Sequence, residues 1–78
     1  MPLYFFDIQD PEKFDQDDIG IECETPETVR EAAIEALPGL AKDLKLGVQH
    51  HWIAVIARDE TGKSLFRASL TLDAGWLD

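Results

Sequence analysis

The chain has 78 residues, with 7 Lys and Arg against 16 Asp and Glu, and a formal net charge of −9 at pH 7. This length is that of one small domain, so we expect a single unit over residues 1–78 with residues 73–78 as a C-terminal tail. The acidic balance disfavours nucleic acid or anionic membranes as partners, because phosphate contacts need Lys and Arg. No apolar run reaches the roughly 20 residues of a membrane helix, and the start lacks the basic segment of a signal peptide, so a cytoplasmic protein is expected.

The first half of the chain predicts two strands joined by an acidic loop. The first is Leu3–Ile8, whose aromatic and branched residues suit a pleated surface. After the loop, residues 19–24 alternate between apolar and polar side chains, which is typical of a half-buried edge strand. Residues 1–24 hold eight acidic residues against Lys13 alone. This charge either keeps the surface solvated or favours a basic partner.

A helix is predicted to follow. Thr25 is a good N-cap, Pro26 suits the first helical position, and apolar residues recur with helical spacing from Val29 onwards until a stop at Gly47. Pro38 interrupts this pattern, because an interior proline removes a backbone hydrogen bond and clashes with the preceding turn. We therefore expect one helix with a kink at Pro38, or two short helices meeting there.

The second half predicts a hairpin of two strands, Trp52–Arg58 and Ser64–Leu72. Asp59 and Gly62 hold the first and fourth positions of the turn, which favours a type I turn followed by a bulge at the glycine. In that geometry Ile56 pairs with Phe66, and the wholly apolar face that begins at Trp52 faces the helix.

These elements predict an α+β fold with the order β-β-α-β-β. The strands that are apolar on both faces, Leu3–Ile8 and Trp52–Arg58, should be central. The result is a two-layer fold, with a four-stranded antiparallel sheet in the order 2-1-3-4 and one helix on one face.

The other face of this sheet is then apolar at its centre and polar at its rim, as interaction surfaces are. We expect it to bind a partner and to join two copies of the chain in a homodimer, or to extend the sheet edge to edge. The predicted partner-binding residues are Leu3, Phe5, Ile53, Val55, Ala57, Leu65 and Arg67. Two alternatives stay open, namely that Trp76 and Leu77 of the tail cover this face, or that it holds a small ligand.

Catalytic and metal-binding patterns are weak. His50 and His51 are adjacent in a strand and so point to opposite faces. No glycine-rich loop could cradle a phosphate, and neither serine stands in a nucleophile context. We therefore predict no enzyme, no cofactor and no metal. Asp7 and Arg67, beneath the tail, are the one pair from which a ligand site or an enzyme could be built.

Several segments carry a resemblance to a known family. They are residues 4–8, 18–21, 31–33, 35–37 and 58–63. The chain resembles a family of short uncharacterised proteins from rhizobia and related alphaproteobacteria, classed as a domain of unknown function. The resemblance implies a cytoplasmic bacterial protein with no established activity, although Pro38 departs from the uninterrupted helix of that family.

A weaker likeness is to antitoxins of the HicB type, in which a small antiparallel sheet precedes a helix. From the uncovered face of the sheet, the sequence predicts a non-enzymatic interaction module that self-associates or docks on another protein through that face. Its alternative is an antitoxin-like or regulatory inhibitor whose acidic surface binds a basic partner.

Overall fold

The computed structural model describes residues 2–42 and 50–78. It is an α+β fold in which one helix packs on an antiparallel sheet. The elements, in chain order, are β1 (Leu3–Gln9), β2 (Phe14–Asp15), β3 (Ile21–Glu22), α1 (Pro26–Ala41), β4 (His50–Arg58) and β5 (Ser64–Asp73).

Among the residues that the structure describes, the sheet has five strands rather than the predicted four. Its order is β2-β1-β4-β5, and β3 also pairs with β1. The predicted adjacency of the three long strands is confirmed, and so is a strand beside β1 within residues 19–24, but this strand is shorter than predicted, covering only Ile21–Glu22. The chain pairs with β1 twice, through β2 beside Ile8 and Gln9 and through β3 beside Leu3 and Tyr4. The alternation of residues 19–24 reflects one short strand and its flanks.

The start of α1 follows from its capping residues, as predicted. Thr25 is the N-cap, and its side-chain oxygen accepts a hydrogen bond from the Thr28 N–H at 3.2 Å. The helix runs unbroken to Ala41 with Pro38 inside it, so the alternative of two short helices is wrong. Pro38 lies near the C-terminal end, where the loss of one backbone bond disrupts few turns. The predicted stop at Gly47 lies outside the described residues.

The core lies between α1 and the sheet. Val29, Ala33 and Leu37 are the buried residues of the helix, and they belong to two clusters with residues of β4. The β4 members are Ile53, Val55 and Ala57. Side chains from the neighbouring strands complete the layer, namely Tyr4, Phe6, Ile8, Phe66 and Ala68.

The hairpin between β4 and β5 has the predicted turn but a different register. Gly62 has φ +90°, and the Asp59 N–H donates to the Lys63 carbonyl at 2.9 Å, which confirms the turn and its bulge. A second irregularity follows between Ala57 and Arg58. Arg58 pairs with Ser64, but Ala57 pairs with Phe66, which leaves Leu65 as an extra residue on β5.

This extra residue shifts the pairing by one position, and a shift of one position exchanges the two faces of a strand. The predicted pairing of Ile56 with Phe66 is therefore wrong. So is the assignment of the face of Trp52, Ala54 and Ile56 to the helix. That face points away from α1, and the other face of β4 lies beneath the helix.

Candidate functional site

We call the side of the sheet away from α1 the open face. Its members are Leu3, Phe5, Asp7 and Gln9 from β1, Trp52, Ala54, Ile56 and Arg58 from β4, and Arg67, Ser69, Thr71 and Asp73 from β5. Three of the predicted partner-binding residues, Leu3, Phe5 and Arg67, lie on it. Three others, Ile53, Val55 and Ala57, are buried under α1 instead, because the register differs by one residue. Buried side chains of this kind hold the core together and cannot contact a partner.

Leu65, the last of the predicted partner-binding residues, lies on the helix side. It lines a cleft of about 140 Å³ together with Tyr4, Pro26, Val29 and Phe66. The cleft lies where the start of α1 meets β1 and β5. Its lining is apolar apart from the Tyr4 hydroxyl group, and its volume is well below the several hundred Å³ of a typical ligand pocket.

An ion-paired cluster occupies the open face at β1. Asp7 is only 4% exposed, and its Oδ2 accepts a hydrogen bond from the Arg58 Nε at 2.8 Å. Its Oδ1 accepts one from the Asp17 N–H at 2.9 Å. Arg58 also donates to the Asp17 carbonyl at 2.8 Å. The hydrogen bond to Asp7 raises the pKa of Arg58 further, so its charge is permanent. Asp7 therefore pairs with Arg58, and not with Arg67, the residue with which it was combined from the sequence.

Asp17 ties the acidic loop to the edge of β1. Its Oδ2 accepts a hydrogen bond from the Phe6 N–H at 3.0 Å, and its Oδ1 accepts bonds from Ile19 and Gly20 at 3.0 and 3.2 Å. Burial alone would raise the pKa of Asp17, but these three backbone donors outweigh it and hold the pKa below its ordinary value. The carboxylate thus bonds β1 in the gap between β2 and β3.

The same loop covers the β1 side of the open face. Gly20 has φ +81°, and a Cβ atom there would lie 3.0 Å from Leu3 Cγ and 3.1 Å from Phe5 Cε1. The Arg58 guanidinium stacks on the Phe5 ring at 4.6 Å from its centroid. The open face is therefore exposed mainly on its β5 side, around Arg67.

The cluster has the character of a structural element. Within residues 2–42 and 50–78, every buried polar side-chain atom has a hydrogen-bond partner. In the same ranges no three His, Cys, Asp or Glu side chains converge as a metal site requires. Both oxygens of Asp7 are already bonded by the protein, so the carboxylate is held in place by the groups around it.

Sequence reasoning missed Asp17 and Arg58, although a signal for one of them was present. Asp7 is the only acid of β1 and β4, and Arg58 is their only Arg or Lys. Opposite charges in adjacent central strands favour an ion pair, because neither charge could be buried alone. Asp17 has no comparable signal, since it is one of several acids in its loop.

The outer edge of β5 is the second feature of the candidate site, beside the ion-paired cluster. The direction in which its backbone groups point follows from the hydrogen bonds of β1. The Phe6 N–H points away from β4, towards Asp17. Phe6 opposes Ala57, so Ala57 directs its own backbone groups towards β5 and bonds Phe66. Backbone groups alternate along a strand, so every second residue of β5 after Phe66 also faces β4. The residues whose backbone N–H and C=O groups point outwards are Arg67, Ser69, Thr71 and Asp73.

Apolar side chains are exposed beside this edge. Leu70 is 42% exposed and Leu72 is 39% exposed, both on the helix side of the sheet. Beyond them the tail carries Trp76 and Leu77, which are 97% and 98% exposed. The tail therefore does not cover the open face, and the alternative in which Trp76 and Leu77 shield it is wrong.

A family model described as a domain of unknown function, DUF6894, matches residues 3–71. The chain belongs to the DUF6894 family. No curated protein and no solved structure matches it. In this DUF6894 chain the matched segment includes Asp7, Asp17 and Arg58, and it ends within β5 ahead of the tail. Among the residues described for this DUF6894 member, no helix has the length and apolar character to cross a membrane.

Proposed function

We propose that this chain is a small non-enzymatic interaction module that self-associates through the β5 side of its sheet. The observation that carries the proposal is the outer edge of β5. This strand has ten residues, and within the described part of the chain it pairs on one side only, with β4. Leu70 and Leu72 are exposed beside that edge.

An edge strand of this kind favours pairing with another strand. Proteins that keep an edge unpaired shorten it, interrupt it with a bulge, or place Pro or charges, above all Lys, in it. β5 is long and contains no Lys or Pro, its bulge at Leu65 lies near its start, and its two charges, Arg67 and Asp73, have opposite signs. A domain of this size buries only about 60% of its unfolded surface. A second copy would therefore add both hydrogen bonds and apolar contact along the β5 edge.

The non-enzymatic part of the proposal is supported by the cluster around Asp7. A catalytic carboxylate must exchange its partner for a substrate or a water molecule during the reaction. Asp7 is buried, and Arg58 and the Asp17 N–H bond its two oxygens. The cluster joins β1, β4 and the acidic loop, so its role is to fix that loop on the sheet.

The test of self-association is the mass of the full chain in solution. Light scattering coupled to gel filtration, at about 1 to 100 µM, should give twice the chain mass of 8.8 kDa at the upper concentrations. A mass of one chain throughout that range would contradict the proposal. The same measurement in high salt shows whether apolar and backbone contacts are sufficient, since these are not screened.

A second candidate is an inhibitor that binds a basic partner, and the exposed acids favour it. Asp15, Asp18, Glu22 and Glu24 are all exposed near one edge of the sheet. Polylysine is a suitable probe, and binding that weakens steeply with salt and on replacing Asp15 and Asp18 by Asn would support this function. Binding that is unaffected by salt and by the two substitutions would argue against this function. This surface lies across the sheet from β5, so the two functions can be separated.

A further inference from the structure

Opposite charges lie at equal distances on either side of Leu70 in β5. Arg67 comes three residues before Leu70, and Asp73 comes three residues after it. Both charged residues are on the open face, and both belong to the set whose backbone groups point outwards. Such a strand is complementary to a second copy of itself running in the opposite direction.

We propose that two copies of the chain pair through β5 in antiparallel fashion, about a twofold axis at Leu70. This inference rests on the proposed self-association and names its partner and its register. Residues equally far from Leu70 on either side then oppose each other across the two copies. The pairs are Arg67 with Asp73, Ala68 with Leu72, Ser69 with Thr71, and Leu70 with itself.

The backbone is arranged for this register. Arg67, Ser69, Thr71 and Asp73 all point their N–H and C=O groups towards the second copy, and in this register each opposes another member of the same set. Opposed residues of this type exchange two N–H···O=C bonds. The two edges thereby form one continuous antiparallel sheet across the axis.

Charge selects this register over its neighbours. An axis at Ser69 would place Arg67 opposite Thr71, and an axis at Thr71 would place Arg67 opposite Gly75. The axis at Leu70 places Arg67 of each copy opposite Asp73 of the other, which forms two equivalent ion pairs. Opposite charges directly across an antiparallel pair are favourable, whereas like charges are not.

The apolar side chains support the same register on the other side of the sheet. Leu70 of each copy meets Leu70 of the other at the axis, and Leu72 meets Ala68. Both leucines that are exposed along the edge of the single chain are thereby covered by apolar side chains of the second copy. Polar pairs then lie on the open face and apolar pairs on the helix side.

Disulfide cross-linking of the full chain tests this register directly, with Cys23 replaced by Ala. In Leu70→Cys the two thiols lie in a non-hydrogen-bonded pair, where Cα atoms are about 4.5 Å apart. A disulfide can span that distance. In Leu72→Cys, the matched control, the two cysteines are four residues out of register, about 14 Å apart. Leu70→Cys should form a covalent dimer under mild oxidation, and Leu72→Cys should not.

The result separates this inference from the proposed function. Equal cross-linking of the two variants, or cross-linking of Leu72→Cys alone, would overturn the register. A wild-type chain that dimerises while neither variant cross-links would also overturn it and would leave self-association standing. A wild-type chain that is monomeric would overturn both.

A charge exchange provides a second test that does not depend on the new cysteines. Arg67→Asp and Asp73→Arg each place like charges opposite each other at two positions of the dimer. Each substitution should raise the dissociation constant of the dimer by about tenfold. The double variant restores opposite charges and should return the dissociation constant to within about threefold of the wild-type value. Additive weakening in the double variant would contradict the pairing of Arg67 with Asp73.

Discussion

The clearest test of how the acidic loop is attached to β1 is Asp17→Asn. Asp15→Asn, two residues away, is the matched control. One oxygen of Asp17 accepts the Phe6 N–H, and the other accepts those of Ile19 and Gly20. An amide has only one acceptor oxygen, so one of these two sets must face an NH₂ group instead. Asp15 is bonded differently, since its side chain is 61% exposed and lies 3.7 Å from Lys13.

The expected loss of stability follows from the hydrogen bonds that the Asp17 carboxylate accepts. A hydrogen bond to a charged group contributes about 1.5 to 3 kcal/mol, and an unsatisfied donor costs about 1 to 3 kcal/mol. We expect Asp17→Asn to lower the free energy of unfolding by about 2 to 3 kcal/mol. A domain of this length has roughly 4 to 12 kcal/mol in total, so the loss is a large fraction of it. Asp15→Asn should change the free energy by less than about 0.5 kcal/mol.

Urea unfolding followed by tryptophan fluorescence measures both variants at one fixed protein concentration. The loss should also depend on pH, because the pKa of Asp17 is lowered in the fold from an ordinary value near 3.8. Its contribution is present above that value and disappears as the pH falls through the folded pKa. The difference between wild type and Asp17→Asn should therefore shrink below about pH 4. Equal stability of the Asp17→Asn and Asp15→Asn variants at pH 7 would refute the reasoning.

Three further predictions concern the core, the edge and the turns. Val55→Glu should unfold the chain, as seen by circular dichroism, because Val55 is fully buried beneath α1; a folded variant would contradict the face assignment. Ser69→Pro should abolish the dimer in light scattering while keeping the fold, because the Ser69 N–H points outwards, whereas Ala68→Pro should destabilise the fold through the ladder with β4. Gly62→Ala should lower the free energy of unfolding by about 1 to 2 kcal/mol, because Gly62 has a positive φ. Gly20→Ala should lower the melting temperature further, because its Cβ would also press on Leu3 and Phe5, and equal melting temperatures would contradict that packing.

Local patterns predicted the parts of the fold that depend on local chemistry. The N-cap at Thr25 and the turn at Gly62 were both predictable, because each is decided by a few neighbouring residues. The order of the three long strands was also predictable, because only β1 and β4 are apolar on both faces and can lie inside a sheet.

The register of β4 could not be predicted from hydrophobicity, because β4 is apolar on both faces. Both faces of residues 52–57 are apolar, so moving the pairing by one residue leaves the pattern looking equally good. The second irregularity, at Leu65, carries no glycine or proline to mark it. The charges were the better guide, since Asp7 and Arg58 have to share a face to be paired. That constraint orients the two central strands relative to each other.

The candidate site was predictable only in part. Leu3, Phe5 and Arg67 lie on the open face as the alternation of their strands indicated. The other predicted residues lie on the helix side, because the register differs by one residue. The acidic loop that packs on Phe5 makes no regular strand over most of its length. Such a loop is held by single side chains such as Asp17, and these leave no periodic trace in a sequence.

The carboxylate of Asp17 has a consequence for how far assembly can proceed. It fills the gap along β1 that two short strands leave, so the acidic loop occupies the β1 edge and offers only strands of two residues on that side. In the proposed dimer, a single joining event would occupy the β5 edges of both copies. An assembly joined in this way would stop at two copies and would not grow into the filaments that a sheet with two open edges can nucleate.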